Sequence, residues 1–448
     1  MVKATLDGVY NALEDIASDA SRKSKLEKLE KYLGKVPWLE ETIEYALNPY
    51  KHYKTTSVKL IKNVEYLGDA GKPDDIFIQL DRMAEQKGAS DVDKMHLSGL
   101  SSLSEKTINV VNRIVKKDLR CGVQVTTANE FLDIPVYKVM KAVGDSQFPG
   151  KEWPKFVELC GGYGNIISSI KVDGYRVSYV NVNEDDSVEY LSTSGRPYDN
   201  FSVFDEEILE LAYDVHKNIG AAYPIAFDAE CVSKDGNFQT MQKHARRQSN
   251  IDPDIYRLLV WDVLCPSDHL PYGYTSRYNL LDSLPTTSGE IYDFLDIVSE
   301  YPNRKVFKLL HKFYHYRNDD DVIAHAREVI SGGNEGLIFK TPDHQHELKR
   351  SKHWFKLKAL YLKGYGIEVD LPVIGFEYGK KGTRLENVLG AFICEYKGKR
   401  VNVSGKLSDK QRIEYAENLP SFIEVNADSE TNDGSLRLPI FQRVRIDK

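Results

Sequence analysis

The sequence predicts a multidomain chain with an all-α N-terminal domain, an α+β central domain and a C-terminal β-barrel. Three observations carry that prediction. Apolar residues at helical spacing dominate residues 1–148, strand-like runs rich in Ile, Val and Tyr alternate with helix-like segments over 149–360, and short strands with hairpins fill 361–448. A chain of 448 residues has room for roughly two to four ordinary domains.

In the first domain Leu6, Val9, Tyr10, Leu13 and Ile16 recur at three- and four-residue steps, as do Leu26, Leu29 and Leu33. A further helix is predicted over 105–120, burying Ile108, Val111, Ile114 and Val115 and stopping at Gly122. Arg113, Lys116, Lys117 and Arg120 fall mostly on its other side. As a charge run alone they read as a solvated face.

After Phe148-Pro149-Gly150 the stretch IISSIKVDGYRVSYV predicts two strands around a turn, followed by strands near 224–232, 256–265, 336–340 and 353–360. Helices are expected at 203–218 and 318–330. Beyond residue 361 the runs IEVDLPVIGFEYG, AFICEYKGKRVNVSG, SFIEVNADSET and FQRVRI, with one helix near SDKQRIEYAENL, suit a five-stranded barrel of the OB type.

Composition removes several classes. Apolar residues make up 41% and charged residues 28%, mean hydropathy is −0.44, and no apolar run approaches the roughly 18 residues of a membrane helix. The N-terminus lacks the apolar core and cleavage site of a signal peptide, so a cytoplasmic location is expected, that of the host cell if the protein is viral. Cys121, Cys160, Cys231, Cys265 and Cys394 lie too far apart for a zinc module, and no disulfide is expected. The net charge of −7 comes from the centre, where residues 151–360 carry 24 basic and 32 acidic groups, against 22 and 22 in 1–150 and 14 and 13 in 361–448. A nucleic-acid partner is not favoured by that overall balance, so local clusters decide.

The sharpest local signal is Lys171-Val-Asp173-Gly174-Tyr-Arg176. A solvated hairpin turn, with Asp-Gly supplying a positive φ, accounts for the Asp and Gly but not for the whole set. The pattern resembles the Lys-x-Asp-Gly-x-Arg signature of the covalent nucleotidyltransferase superfamily, the ATP-dependent ligases and mRNA capping enzymes. Further elements of that family follow in order: Phe227-Asp228-Ala229-Glu230, Val260-Trp261-Asp262, Glu335-Gly336-Leu337-Ile338, Trp354-Phe355-Lys356-Leu357-Lys358 and the terminal Arg445-Ile446-Asp447-Lys448. Through Lys117-Asp118-Leu119-Arg120-Cys121-Gly122-Val123, Thr127-Ala128-Asn129 and Ala245-Arg246-Arg247-Gln248-Ser249-Asn250 the chain is most similar to the ATP-dependent DNA ligases of T-even-type bacteriophages.

That resemblance implies a helical DNA-binding domain (1–148), an adenylation or nucleotidyltransferase domain (149–360) and an OB-fold domain (361–448). It implies sealing of 5′-phosphate/3′-hydroxyl nicks in duplex DNA through lysyl-AMP and DNA-adenylate, with ATP and Mg²⁺, in replication, repair and recombination. Lys171 would be the nucleophile. An amine attacks phosphorus only when neutral, so its pKa is expected to be depressed by neighbouring cations and metal. Lys356 and Lys358, two apart on a strand and so on one face, would supply those cations and grip the α-phosphate. Glu230 would bind the nucleotide and, with Glu335, the metal. Trp261 would stack on adenine, Arg176 would bind ribose or a 5′-phosphate, Asp173 would orient the lysine or reach the nicked strand, and Arg445 and Lys448 would clamp the outgoing pyrophosphate.

Two departures from the family stand out. Thr193 occupies the place of an arginine that grips the nick in many relatives, which leaves Arg196 as a candidate substitute, and Ser169 stands where many carry a carboxylate that reads the adenine amino group. Arg113, Lys116, Lys117 and Arg120 would grip duplex phosphates. The expected protein is a monomer whose partner is nicked DNA. An RNA ligase or capping-type transferase, or a nick-binding scaffold without catalysis, are the alternatives, and the intact lysines and glutamates weigh against the scaffold.

Overall fold

Every regular element described before residue 138 is a helix. The computed structural model describes residues 5–445 apart from 20, 56, 62–72, 87–88, 103, 199, 237–239, 242–251, 265–272, 285–287, 290–300, 310–311, 363–364, 381–382, 384 and 432. Lys448, Cys265 and the 245–250 segment therefore lie outside the described residues. The chain divides into two compact units, Lys138–Gly366 and a second that combines Met1–Tyr137 with Ile367–Lys448.

The helices are Asp7–Ala17, Arg22–Tyr32, Leu39–Leu47, Pro73–Glu85, Asp91–Ser101, Glu105–Val115 and the short Val125–Ala128. Ser21, Ser90 and Ser104 cap three of them by accepting from backbone N–H groups in the first turn. Their apolar stripes meet in one core that includes Leu13, Ile16, Leu29, Ile43, Leu80, Leu97, Val111 and Ile114, while Ile108 is only half-buried. The helix expected over 105–120 ends at Val115, before Gly122. Lys117 takes a left-handed φ of 56°, and the amides of Lys117 and Asp118 bond back to the carbonyls of Ile114 and Arg113. That is a Schellman ending built on a lysine in place of the usual glycine.

The unit Lys138–Gly366 is built from two mixed sheets. The first has the order β1-β11-β10-β2-β9, with β1 Lys141–Val143, β2 Ile167–Lys171, β9 Lys312–Phe313, β10 Gly336–Lys340 and β11 Arg350–Lys358. The second runs β4-β3-β5-β6-β8-β7, with β3 Tyr175–Val182, β4 Val188–Ser192, β5 Ile225–Ser233, β6 Tyr256–Leu264, β7 Ser288–Gly289 and β8 Val306–Leu309. Helices Asp205–Ile219 and Asp319–Ser331 fall where they were expected.

The alternating run around Lys171 is not a hairpin. β2 and β3 belong to different sheets, so Val172–Gly174 is a crossing between them. Gly174 is required for space rather than for a positive φ: a Cβ there would stand 2.5 Å from the carbonyl oxygen of Cys231 and 2.7 Å from Cγ of Glu230.

Five strands form the C-terminal barrel in the order β14-β13-β12-β15-β18: β12 Ile367–Tyr378, β13 Leu389–Tyr396, β14 Lys399–Val403, β15 Phe422–Ala427 and β18 Ile440–Val444. Two-residue strands β16 Ser429–Glu430 and β17 Leu436–Arg437 pair with each other. β12 is long enough to pair with β15 along its first half and β13 along its second, and it shifts register between Val373 and Gly375. A parallel bridge from Gly405 to Ile440 brings the two outer strands together around Phe392, Val403, Val425 and Phe441.

Candidate active site

Strand register alone puts the chemistry on one face. Directly opposed residues of an antiparallel ladder share a face, and three such rows cross β2, β10 and β11. They are Lys171/Gly336/Lys358, Ser169/Ile338/Lys356 and Ile167/Lys340/Trp354. The intervening residues Ile170, Leu337, Leu357, Phe339 and Phe355 pack on the other face against Trp153 and Phe156. Gly336 leaves its row empty between two lysines, since a Cβ there would lie 2.0 Å from the Leu357 carbonyl oxygen.

The second sheet brings acids to the same cleft, of about 250 Å³, whose lining includes Lys171, Arg176, Glu230, Trp261, Lys340 and Lys356. Arg176 and Glu230 are paired in register on β3 and β5. Arg176 is chelated by the fully buried Asp228 at 2.9 and 2.6 Å and also donates to the Met140 carbonyl at 2.7 Å. Three of its five N–H groups are therefore engaged within the protein.

Glu335 links two lysines, accepting from Lys171 through Oε2 and from Lys358 through Oε1. Burial alone would lower the Lys171 pKa, but the carboxylates of Glu335, Glu230 and Asp173 outweigh it, so the ammonium is held above its ordinary value. This corrects the expectation of a depressed lysine: its nearest neighbours are acids, not Lys356 or Lys358. Burial raises Glu335 but the two lysines win, leaving it below the usual carboxylate range. Glu230, with no ion pair among the described residues, is pushed up to about 8 by burial despite Lys171 and Arg176. Lys356 is lowered by burial and by Lys358.

Trp261 stands on β6 with its Nε1 buried and without a hydrogen-bond partner among the described residues. A ligand acceptor would satisfy it. Thr193 lines the cleft and Arg196 lies exposed outside that lining. Arg445, at the end of β18, is held by both oxygens of Asp370 at 2.9 Å and by Glu424 at 3.4 Å.

Three residues that the motifs did not single out belong to the cleft or its wall. Lys340 is 2% exposed, donates to the Tyr274 hydroxyl at 2.9 Å, and lies between the rings of Tyr274 and Trp354. Burial pushes it down to about 7 against the pull of Asp262 and Asp228. His344 donates from Nδ1 to the Thr341 carbonyl at 2.7 Å and accepts the Trp354 indole N–H on Nε2 at 2.7 Å. Tyr274 adds a hydroxyl against the Trp261 carbonyl at 3.4 Å. The one advance signal is the lysine five residues after Glu335 in EGLIFK, where an apolar strand ends on a charge.

In the helical part the four predicted phosphate contacts divide. Arg113 is buried, bonds Glu14 at 2.5 Å and donates to the Leu119 carbonyl, and Lys117 donates to the carbonyls of Tyr45 and Asn48 at 2.9 and 2.6 Å. Both are structural: one balances the half-buried Glu14 carboxylate and the other satisfies the C-terminal end of helix Leu39–Leu47. Lys116 and Arg120 are exposed.

Comparison with known proteins agrees with this architecture. A family described as "ATP dependent DNA ligase domain" matches residues 154–358, and one described as "DNA ligase OB-like domain" matches 381–445. The DNA ligase of Enterobacteria phage T6 is 26% identical over 404 residues, covering 76% of this chain and 75% of that protein, and the DNA ligase of phage T4 is 25% identical over the same length and shares. A solved structure titled "Pmar-Lig_Pre." shares the fold with a TM-score of 0.64 at 23% identity, covering 98% of this chain and 99% of that one. Fold and matches together define an enzyme that forms phosphodiester bonds at the expense of a nucleotide. The chain belongs to the ATP-dependent DNA ligases.

Proposed function

We propose that the cleft carries the three chemical steps of nick sealing on its own residues, with the domains divided at 1–148, 149–360 and 361–448. The supporting observation is the single face on which Lys171, Lys356 and Lys358 stand around Glu335, with Glu230 and Trp261 facing them from the second sheet. Lys171 attacks the α-phosphorus of ATP, and pyrophosphate leaves. Lys356, which forms no ion pair among the described residues, grips the α-phosphate oxygens. Trp261 stacks on the base, with Ile338 opposite and Ser169 and Lys340 toward its edge, while Glu230 takes a ribose hydroxyl.

Glu335 and Glu230 fit Mg²⁺, which takes one or two carboxylates together with phosphate oxygens. When bound, the ion supplies positive charge that neutralises the phosphates. Glu335 then has less charge to give to Lys171, which lowers the cost of releasing the lysine's proton. Asp173 orients Lys171 through its charge.

Lys116 and Arg120 contact duplex phosphates, and Arg196 reaches the DNA from outside the cleft. Arg445 and Lys448 clamp the outgoing pyrophosphate, which requires Arg445 to exchange Asp370 for it. The protein works as a monomer in the cytoplasm. Among the described residues no helix is long and apolar enough to cross a membrane.

The test is intact-protein mass after incubation with ATP and Mg²⁺, beside NAD, GTP and Lys171→Ala, followed by nicked duplex. An AMP adduct from ATP alone, absent in the variant and discharged as the nick closes, is expected. No adduct from any nucleotide, on protein that is not already adenylated, overturns the reading.

A further inference from the structure

The second step of nick sealing brings two anions together. An oxygen of the nick's 5′-phosphate bonds to the α-phosphorus of lysine-bound AMP, the Lys171 Nζ–P bond breaks, and its electron pair returns to the nitrogen, which takes up a proton. A cation must stand where the incoming phosphate docks. In-line displacement places that phosphate on the side of phosphorus remote from Lys171.

The strand order says which side that is. From Lys171 on β2 the sheet continues through β10 and β11 to its edge at β1, about 14 Å away at the usual spacing of roughly 4.8 Å per strand. Most cations of the cleft are already committed: Lys171 and Lys358 to Glu335, Arg176 to Asp228, and Lys340 to Tyr274. Lys356, one strand short of the edge, is placed at the α-phosphate itself.

Lys141 on β1 differs from all of these. It lines the same cleft as Lys171 and Thr193, is exposed, and has no side-chain partner among the described residues. Its backbone, by contrast, is fixed. The Lys141 amide donates to the Lys349 carbonyl at 3.0 Å, Lys141 stands opposite Arg350, and Arg350 braces the strand by donating to the Ala142 carbonyl at 2.7 Å. A free ammonium on an anchored strand suits a mobile dianion. Thr193, facing the same space, contributes no charge.

We infer that Lys141 holds the 5′-phosphate of the nick during its attack on the lysine-bound adenylate. The inference rests on the reading of the cleft as the adenylation site. It makes Lys141 the residue by which the charged protein binds a phosphorylated nick more tightly than one ending in a 5′-hydroxyl.

The test separates the steps. Lys141→Ala and Lys141→Arg are each charged with ATP and Mg²⁺, and adduct formation is followed by intact mass; the charged proteins are then mixed with nicked duplexes bearing a 5′-phosphate or a 5′-hydroxyl. Expected for Lys141→Ala is adduct formation close to that of the unaltered protein, discharge on the phosphorylated nick slower by about tenfold or more, and a binding affinity for the phosphorylated nick reduced toward that for the 5′-hydroxyl nick, which has no phosphate to discharge the adduct. Lys141→Arg keeps both, and Thr193→Arg added to Lys141→Ala restores part of the discharge. Discharge and phosphate preference unchanged in Lys141→Ala overturns the inference, as does an equal loss in adduct formation. Failure of the unaltered protein to form any adduct overturns the reading beneath it instead, and this inference with it.

Discussion

Glu335 is tied to Lys171 twice, by the ion pair between their side chains and by its own amide, which donates to the Lys171 carbonyl at 3.2 Å. Lys171 and its counter-charge are thus held as one piece, and replacing Glu335 tests both. Glu335→Gln leaves Lys171 and Lys358 without their shared carboxylate. A loss of roughly 3 kcal/mol in urea unfolding at neutral pH is expected, together with loss of lysyl-AMP formation. Lys171, held above its ordinary value, gives stability that is present below the unfolded lysine value and lost as pH rises through the folded one; Glu335, held low, gives stability that is present above the unfolded glutamate value and lost as pH falls through the folded one. The difference between the two proteins is therefore widest at neutrality and closes toward both extremes. A difference independent of pH would show that the pair is not its source.

Lys340 presents the opposite sign. Its folded value of about 7 lies below the roughly 10.4 of an unfolded lysine, so between those limits the unfolded chain binds a proton that the folded one has released, and stability rises with pH. Lys340→Met removes a buried cation. The variant is expected to melt higher than the unaltered protein at pH 6, with the gap shrinking toward pH 10, and to bind ATP more weakly. Calorimetric scans across that range decide it.

His344 is fixed as the neutral Nδ1–H tautomer because one nitrogen donates to a carbonyl and the other accepts an indole N–H. Burial pushes it down to about 3, so it contributes no pH dependence between 5 and 8. His344→Ala leaves the Trp354 indole without its acceptor and is expected to cost about 1 to 3 kcal/mol, equally at both pH values. Urea unfolding at pH 5 and 8 checks this.

Among the basic residues of the helical part, salt dependence sorts structure from contact. Lys116→Ala and Arg120→Ala are expected to keep stability and to lower the slope of nick affinity against salt by about one each. Arg113→Ala, which removes a buried guanidinium with its bonds to Glu14 and the Leu119 carbonyl, is expected to destabilise by about 1 to 3 kcal/mol, and Lys117→Ala by a similar amount, both without changing the slope. Filter binding across a salt series, beside unfolding curves, gives both quantities.

What the sequence disclosed and what it hid follow one physical line. Strand runs, helix spacing and the order of the signature elements are local, and β5, β6, β10 and β11 lie within a few residues of their predicted places. Pairing is not local. The alternation in IISSIKVDGYRVSYV is equally that of a hairpin and of two strands parting to different sheets, and only the clash at Gly174 records the difference. Arg113 and Lys117 looked solvated because spacing does not reveal that Glu14, or the carbonyls of Tyr45 and Asn48, fold back onto them. The places of Lys340 and His344 are hidden for the same reason: their partners Tyr274 and Trp354 are 66 and 10 residues away.

The crossing from β2 to β3 also decides where Lys171 stands mechanically. It is the last residue of β2 in one sheet, and the first residue of β3 in the other comes four positions later, with Gly174 pressed against β5 between them. Lys171 thus stands at the corner where the two sheets part, at the narrow end of a wedge. The wedge is also pinned at its far end, because Arg176 of the second sheet donates to the Met140 carbonyl beside Lys141 at 2.7 Å. One guanidinium spans the gap, so the width of the cleft is set at Lys141 as well as at Lys171.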